Sequence, residues 1–191
     1  LDLVRGINKS PLSILDVGCA NGRLGQEFKS LGHHVVGIDI SSEAVLQAKS
    51  VLDDARVCDI EAMWPDSVGG PYNLIVLSEV VEHVFDPVAL LSQIRRFMSK
   101  DGRTIITTPN FMTWTNRLGF IFGKFKYVAQ GMFDFGHIRW FTYDYLKQVL
   151  NEAGFVMEEE QSIIYPGKLT WLLKQWPSLF ASQFIIRARL K

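Results

Sequence analysis

Residues 14–25, ILDVGCANGRLG, join a short apolar run to a turn made of small residues. Asp16, Gly18, Ala20 and Gly22 stand there at alternate positions. Small side chains at this spacing let the backbone turn sharply and approach a ligand closely. The stretch therefore predicts a strand whose carboxyl end carries a binding loop.

Short apolar runs rich in β-branched residues alternate with helical patterns along the chain, as in sheets of buried parallel strands. The predicted strands are 12–17, 34–39, 55–58, 72–77, 103–108, 155–161 and 184–190. This alternation predicts an α/β fold with a doubly wound, mostly parallel sheet of seven strands. The last two strands are expected to pair as a hairpin at one edge.

Capping side chains mark several predicted helix starts. Ser41 precedes the helix after the second strand, Asp86 and Pro87 open the helix after the fourth, and Thr142 opens a helix that ends at Gly154. Residues 1–6, LDLVRG, resemble the tail of a helix, and the chain begins with Leu rather than Met. We therefore expect further residues upstream.

Composition limits the class of protein. With 191 residues, 48% hydrophobic and 21% charged, the chain is expected to form one domain, residues 1–191. Lys plus Arg equals Asp plus Glu at 20 each, so the net charge does not favour a nucleic-acid partner. Two cysteines, no secretory signal and no apolar run of about 18 residues predict a cytoplasmic protein.

The binding loop fits a dinucleotide site poorly. In the fingerprint G-x-G-x-x-G, Ala20 would stand at the second glycine and Arg23 at the third. Asp16 at the loop entrance would repel a pyrophosphate but attract an ammonium or sulphonium group. A nucleotide-linked oxidoreductase is therefore an alternative that this glycine spacing disfavours.

From about Leu12 to the C-terminus the chain resembles the class I S-adenosylmethionine-dependent methyltransferases, whose motif D-x-G-x-G-x-G appears here with Ala20 at the middle glycine. The family has a Rossmann-like sheet with an antiparallel last strand. The resemblance implies that Asp39 binds the ribose hydroxyls and Asp59 the adenine amino group. It places the other cofactor-binding positions at Asp16, Gly18, Cys19, Gly22, Ile40, Ile60 and Ser78.

A second motif, SEVVEH at 78–83, follows the fourth strand. On a helix, Glu79, Glu82 and His83 would share one face. Together with His137 they offer carboxylate and imidazole ligands for a divalent ion. The alternative is a solvated helical turn without a metal, with His137 packed or acting as a base.

The pattern E-x-x-E-H with a later histidine resembles two branches of the superfamily, the ubiquinone-biosynthesis O-methyltransferases and the small-RNA 3′-end 2′-O-methyltransferases. The resemblance implies that Glu79, Glu82, His83 and His137 hold Mg²⁺ or a similar ion. Without a metal, His83 or His137 would be the catalytic base for a hydroxyl acceptor. We expect O-methylation of a small or lipophilic molecule, with an RNA 2′-hydroxyl and cofactor binding without turnover as alternatives.

Residues 110–140, here called the aromatic segment, are rich in Phe, Trp and Tyr and carry Arg117, Lys124, Lys126 and Arg139 against Asp134 alone. We predict that this segment is an insertion that caps the substrate. Its aromatic and basic residues could also contact lipid headgroups at a membrane surface. The alternative is an ordinary helical lid packed on the core.

Overall fold

The computed structural model describes Val4, Ile7 and residues 11–129, 131–164 and 170–191. Eight strands form one sheet in this part of the chain. They are β1 (Ser13–Val17), β2 (His34–Asp39), β3 (Asp54–Val57), β4 (Tyr72–Ser78), β5 (Met98–Pro109), β6 (Phe155–Glu160), β7 (Ile163–Ile164) and β8 (Ala181–Leu190).

The strand order is β3-β2-β1-β4-β5-β8-β6, and the short β7 also pairs with β8. β1 to β5 run parallel, whereas β8 is antiparallel to β5, β6 and β7. This arrangement confirms the predicted doubly wound sheet with an antiparallel last strand. The sequence did not predict β7, whose two residues are too few to form a recognisable pattern.

Seven α-helices connect or follow these strands among the described residues. They are α1 (Arg23–Ser30), α2 (Ser42–Ala48), α3 (Pro87–Ile94), α4 (Trp114–Ile121), α5 (Tyr143–Glu152), α6 (Thr170–Leu173) and α7 (Pro177–Phe180). Three short 3-10 helices lie at Asp66–Val68, Val81–His83 and Arg95–Phe97.

The predicted caps are present. The side chains of Ser41, Asp86 and Thr142 accept hydrogen bonds from the backbone N–H groups of the first turns of α2, α3 and α5. Gly154 follows α5 with a φ of 82°. Gly6, the other predicted cap, lies outside the described residues, although the neighbouring Val4 is helical.

Both faces of the sheet are covered, which explains the continuous apolar runs in the central strands. Leu15 and Leu77 belong to one core cluster, and Ile14 and Val76 belong to another on the opposite face. Because β1, β2 and β4 are parallel neighbours, their carboxyl ends lie at one rim of the sheet. Polar side chains follow the apolar strand residues at this rim. No helix in the described part of the chain has the length and hydropathy needed to span a membrane.

Candidate active site

The loop after β1 turns through three left-handed backbone positions. The φ angles are 70° at Gly18, 46° at Ala20 and 83° at Gly22. The backbone N–H groups of Gly18 and Cys19 both donate to Ile38 O, at 2.8 and 3.0 Å. These bonds hold the loop against the end of β2, so the two predicted cofactor segments are neighbours.

Two motif glycines are required by close packing as well as by φ. A Cβ atom at Gly18 would lie 2.8 Å from Cγ2 of Val80, and one at Gly22 would lie 2.8 Å from Cγ2 of Val51. Gly22 precedes α1, and its conformation serves the start of that helix. Ala20 adopts the same left-handed region at a cost that glycine would avoid.

Asp16 is a buried carboxyl group at the entrance to this loop. Only 2% of the residue is exposed, and Oδ2 has no hydrogen-bond partner. Burial raises the pKa of Asp16 to about 7. A backbone hydrogen bond from Gly25 opposes this shift, and the charge of Asp39 adds to it. An unpaired buried oxygen of this kind suits a cationic ligand, which would supply the missing partner.

Cys19 and Ser78 complete the rim of the loop. Burial and the nearby charges of Asp16 and Asp39 raise the pKa of the Cys19 thiol to about 12, so the group stays protonated and is a poor nucleophile. Ser78 ends β4, and its hydroxyl lies 3.2 Å from the Thr107 hydroxyl of β5.

Asp39 and Asp59 lie at the ends of β2 and β3, as predicted. Asp39 accepts from Ala20 N and Ser41 N at 2.9 Å each, one bond to each carboxylate oxygen. Asp59 accepts from Glu61 N at 2.9 Å. Each carboxylate oxygen has a further lone pair, so both side chains can still accept from a ligand.

These residues line two adjoining cavities that share Gly18. The loop cavity, about 540 Å³, is lined by Asp16, Gly18, Cys19, Ala20, Asn21, Arg23, Leu24, Glu27 and Ser78. The strand-end cavity, about 340 Å³, is lined by Gly18, Asp39, Ile40, Asp59, Ile60, Glu61, Glu79, Val80, His83 and Val84. Eight of the nine predicted cofactor residues therefore line these two cavities, and Gly22 shapes the loop beside them.

A further cavity, the outer cavity, adjoins the strand-end cavity through Glu79. Its volume is about 430 Å³, and its lining comes from the strand ends and the aromatic segment: Glu79, Pro109, Thr113, Thr115, Asn116, Gly131, Met132, Asp134, His137, Ser182 and Gln183. Two acids, Glu79 and Asp134, and several neutral hydrogen-bonding groups line it, so the cavity disfavours an anionic molecule.

Glu79, Glu82 and His83 do not share one face of an α-helix. Glu79 has a φ of 55°, and only Val81–His83 are helical, as a 3-10 turn. The Glu79 carboxylate instead accepts from Thr107 Oγ1 at 2.9 Å and Gln183 Nε2 at 2.7 Å. Pairing of β4 with β5 continues to Ser78, and the Glu79 N–H bonds to Thr107, so the chain cannot start a helix there.

Glu82, His83 and His137 nevertheless come together. Each offers one ligand atom, and these atoms lie within 4.8 Å of one another. Glu82 is 2% exposed, and neither of its carboxylate oxygens has a hydrogen-bond partner. Burial, together with the negative charges of Glu79 and Asp134, raises the pKa of Glu82 to about 8. The nearby Thr108 hydroxyl opposes this shift, but it too is buried without a partner in hydrogen-bonding geometry.

Backbone contacts fix both histidine rings. His83 Nδ1 lies 2.8 Å from Gly136 O, and His137 Nδ1 lies 3.0 Å from Met132 O. Since a carbonyl oxygen only accepts, both Nδ1 atoms carry protons, and a neutral ring then has its lone pair at Nε2. Histidines that bind metal ions are commonly held in this way, by a hydrogen bond from the ring nitrogen that faces away from the metal.

Sequence reasoning missed Thr107, Gln183 and Asp134. Thr107 reaches Glu79 through the parallel pairing of β4 with β5, and Gln183 reaches it through the antiparallel pairing of β8 with β5. Asp134 Oδ2 lies 3.4 Å from His137 Nε2. Only the spacing of Asp134, three residues before His137, could have pointed to it.

Comparison with known proteins identifies the family. The family model described as "Methyltransferase domain" matches residues 1–160. The bovine mitochondrial ubiquinone biosynthesis O-methyltransferase is 35% identical over 124 residues, which cover 60% of this chain and 33% of that protein. The ubiquinone biosynthesis O-methyltransferase of Rhodopseudomonas palustris (strain BisB5) is 30% identical over 165 residues, covering 82% of this chain and 63% of that protein.

The human mitochondrial ubiquinone biosynthesis O-methyltransferase is 27% identical over 192 residues, covering 94% of this chain and 51% of that protein. This chain thus spans between 33% and 63% of the length of these three relatives.

Solved structures support the same fold. A methyltransferase from Methanosarcina mazei has a TM-score of 0.70 at 17% identity, with 98% of this chain and 96% of that chain covered. Magnesium protoporphyrin IX methyltransferase from Synechocystis PCC 6803, solved with bound SAH, has a TM-score of 0.69 at 19% identity, with 99% and 78% covered. The chain belongs to the methyltransferase domain family, as a class I S-adenosylmethionine-dependent member.

Proposed function

We propose that this protein transfers a methyl group from S-adenosylmethionine to a hydroxyl oxygen of a small or lipophilic acceptor. The main support for the proposal is that three cavities lie next to one another at the rim of the sheet. The loop cavity and the strand-end cavity share Gly18, and the strand-end cavity shares Glu79 with the outer cavity. A cofactor in the first two would present its methyl group towards an acceptor in the third.

In this arrangement the cofactor's polar groups meet acidic side chains. The unpaired Oδ2 of Asp16 would hold the amino group, Asp39 would accept from the ribose hydroxyls, and Asp59 would accept from the adenine amino group. Charge-assisted hydrogen bonds of this kind are among the stronger ones. The methionine part also contacts Gly18, Cys19 and Ser78, while Ile40 and Ile60 flank the adenine ring and Gly22 shapes the loop.

Methyl transfer from a sulphonium is an in-line displacement that consumes a positive charge. The protein's main contribution is to align the acceptor oxygen, the methyl group and the sulphur, and to exclude water. The acceptor hydroxyl must also lose its proton. His83 lines the strand-end cavity, where the cofactor would bind, and His137 lines the outer cavity, where the acceptor would bind. Either imidazole can therefore receive that proton.

The cluster of Glu82, His83 and His137 fits a divalent cation, because the two buried Glu82 oxygens have no partner and both histidines present Nε2 lone pairs. In the cation-bound form these three side chains would be ligands. A bound divalent cation lowers the pKa of an acceptor hydroxyl. The residues around it hold the acceptor and keep water out.

The relatives support a quinol-like hydroxyl acceptor, since those compared are ubiquinone biosynthesis O-methyltransferases. An RNA 2′-hydroxyl is the alternative acceptor. The balanced net charge and the acidic lining of the outer cavity favour an uncharged small molecule over a phosphate-bearing one.

We also propose that the aromatic segment touches a membrane surface. Its helix α4 has no buried residue, and Ile121 and Phe122 are 77% and 69% exposed. Phe111, Phe120, Phe125, Phe133 and Trp140 contact one another as an aromatic cluster. Arg117, Lys124 and Lys126 lie on the same segment, so apolar and basic groups are combined as in interfacial anchors.

Calorimetry and labelled methyl transfer test the main proposal. We expect S-adenosylhomocysteine to bind and NAD not to bind. We further expect S-adenosylmethionine to methylate hydroxyl acceptors in a panel of quinol-like, sugar, lipid and RNA compounds. Preferential binding of NAD, or methylation confined to nitrogen or carbon acceptors, would contradict the proposal. RNA binding that weakens steeply with salt would favour the RNA alternative.

A further inference from the structure

We infer that Asn110 is a positioning residue for the acceptor, because its side chain joins two walls of the outer cavity. The inference rests on the proposed function, in which that cavity receives the acceptor. Asn110 follows β5 directly and is 0% exposed. It is not among the residues that line the cavity, so it would act through its neighbours rather than by touching the acceptor.

The side-chain amide of Asn110 is fully hydrogen-bonded. Nδ2 donates to Ala181 O at 2.8 Å and to Ser178 O at 3.2 Å, and Oδ1 accepts from Met112 N at 2.9 Å. The backbone N–H of Asn110 also donates to Ser182 O, at 3.0 Å. An amide supplies two N–H donors and a carbonyl acceptor from one short side chain, and this site uses all three.

These bonds connect the end of β5 with the segment that enters β8. The first wall of the outer cavity is residues 109–116, and the second is residues 182–183. Pro109 pairs with Gln183 in the register of β5 and β8, so Asn110 stands where the paired strands give way to the aromatic segment. Six of the eleven residues that line the outer cavity belong to these walls: Pro109, Thr113, Thr115, Asn116, Ser182 and Gln183.

The bond from Met112 to Asn110 also fixes the start of α4. Met112 O accepts from Arg117 Nε at 2.8 Å, so both backbone groups of Met112 are held. Thr113 then caps α4, and its hydroxyl accepts from Asn116 N at 3.3 Å. Thr113 and Asn116, which line the cavity, are therefore placed by a series of hydrogen bonds that begins at Asn110.

A carboxylate at position 110 would break this connection. It would direct an oxygen at the carbonyls of Ser178 and Ala181, which can only accept, in a site from which water is excluded. Separation of the two walls would relieve the repulsion, and this would change the shape of the outer cavity. The four partners of Asn110 line neither the loop cavity nor the strand-end cavity, so the cofactor site should be unaffected.

The test measures labelled methyl transfer from S-adenosylmethionine to hydroquinone, or to the hydroxyl compound of the panel that the parent methylates if hydroquinone is not a substrate. Asn110→Asp is compared with Asn73→Asp, a matched control. The side chain of Asn73 also joins separate segments, by bonds to Ser13 N and Ser99 Oγ, but it stands near the amino end of β4, away from the site.

We expect the KM of the acceptor to rise at least about tenfold in Asn110→Asp and to stay within about threefold in Asn73→Asp. The KM of S-adenosylmethionine should stay within about threefold in both variants, because the cofactor cavities are not disturbed. Asn110→Ser should show a smaller rise, since its hydroxyl can still accept from Met112 N but cannot supply two donors. If Asn110→Asp does not fold, Asn110→Ser decides by the same comparison.

Hydrogen exchange gives a reading that needs no turnover. Amides of residues 111–117 and 182–183 should exchange faster in Asn110→Asp than in the parent, whereas those of the loop after β1 should not change. Asn73→Asp should leave both regions as in the parent.

Three results would overturn the inference: lower stability with both KM values unchanged, equal rises in both KM values, or parental exchange at residues 111–117 in Asn110→Asp. The first of these would mean that Asn110 only stabilises the fold. A parent that binds no S-adenosylhomocysteine, or that methylates no hydroxyl compound, would instead refute the proposed function.

Discussion

The imidazole rings of His83 and His137 meet edge to face, with centroids 4.8 Å apart and an interplanar angle of 64°. His83 belongs to the turn after β4, and His137 belongs to the aromatic segment. Their contact brings the cofactor side and the acceptor side of the site together at one point. The pairing depends on backbone bonds from both rings to residues of the aromatic segment, Gly136 and Met132.

His137→Asn should therefore reduce the rate of methyl transfer about 100-fold while leaving S-adenosylhomocysteine affinity unchanged, because His137 lines the outer cavity and neither cofactor cavity. His34→Asn, at the amino end of β2 and so at the opposite end of the strands from the site, is the control and should retain the parent rate. Labelled methyl transfer and calorimetry measure the two quantities. An unchanged rate in His137→Asn would remove this residue from the mechanism.

Asp16 makes stability depend on pH. Its carboxyl has a pKa of about 7 in the fold against 3.8 when unperturbed, so the folded protein retains a proton that the unfolded chain releases. Asp16 should therefore contribute a fall in stability on the order of 4 kcal/mol as the pH rises from about 4 to 7. Glu82, whose pKa is raised to about 8, should add a second fall over an overlapping range that extends to about pH 8.

Asp16→Asn should show only the part of the fall that Glu82 contributes, whereas Asp101→Asn, at an exposed acid, should follow the parent. Saturating S-adenosylhomocysteine should flatten the parent's profile, because its ammonium group lowers the pKa of Asp16. Urea unfolding at several pH values measures the effect. Parallel curves for the parent and Asp16→Asn would show that Asp16 is not responsible.

Gly18→Ala tests the close approach at the cofactor loop. The substitution introduces a Cβ 2.8 Å from Val80 Cγ2 at a φ of 70°. We expect S-adenosylhomocysteine affinity to fall at least about tenfold, since a shift of Val80 alters the strand-end cavity and the strained φ costs about 1–2 kcal/mol.

Gly32→Ala is the matched control, because Gly32 has a φ of 87° with open space around its Cβ position. It should lose stability for the same conformational reason yet bind the ligand normally in calorimetry. Equal affinities for the two variants would mean that Gly18 has no special role.

The membrane proposal predicts that the protein sediments with vesicles rich in anionic lipid at low salt. Ile121→Asp and Phe122→Asp should each reduce the bound fraction by more than half, because a charge replaces an inserted apolar side chain. Leu46→Asp on α2, also at an exposed apolar position, should bind like the parent. Raising the salt should release the protein, since it screens the basic residues. Parent protein that remains in the supernatant would refute the contact.

The sequence predicted the sheet because its signals are local and repeated. Buried parallel strands are apolar along their whole length, so the strands around Leu15, Ile38 and Ile75 were visible in the sequence. The capping positions of Ser41 and Thr142 were visible because a cap needs one side chain at one helix start.

The positions of the proposed cofactor residues at the rim of the sheet were predictable for a related reason. Asp16, Asp39 and Asp59 each stand near the end of a predicted strand. Parallel strands bring such ends to one rim of the sheet. The sequence could not show that the middle motif position tolerates alanine at a φ of 46°. That angle depends on the hydrogen bonds that close the loop.

The sequence by itself determined the fold class, the loop and the residues at the strand ends, because each rests on short-range patterns. Only the tertiary structure decided which groups surround Glu79, since Thr107 and Gln183 arrive from the distant strands β5 and β8. It also placed Glu79 in a sharp turn rather than on a helical face, because pairing of β4 with β5 and the side chain of Thr107 constrain the backbone more strongly than helical spacing does.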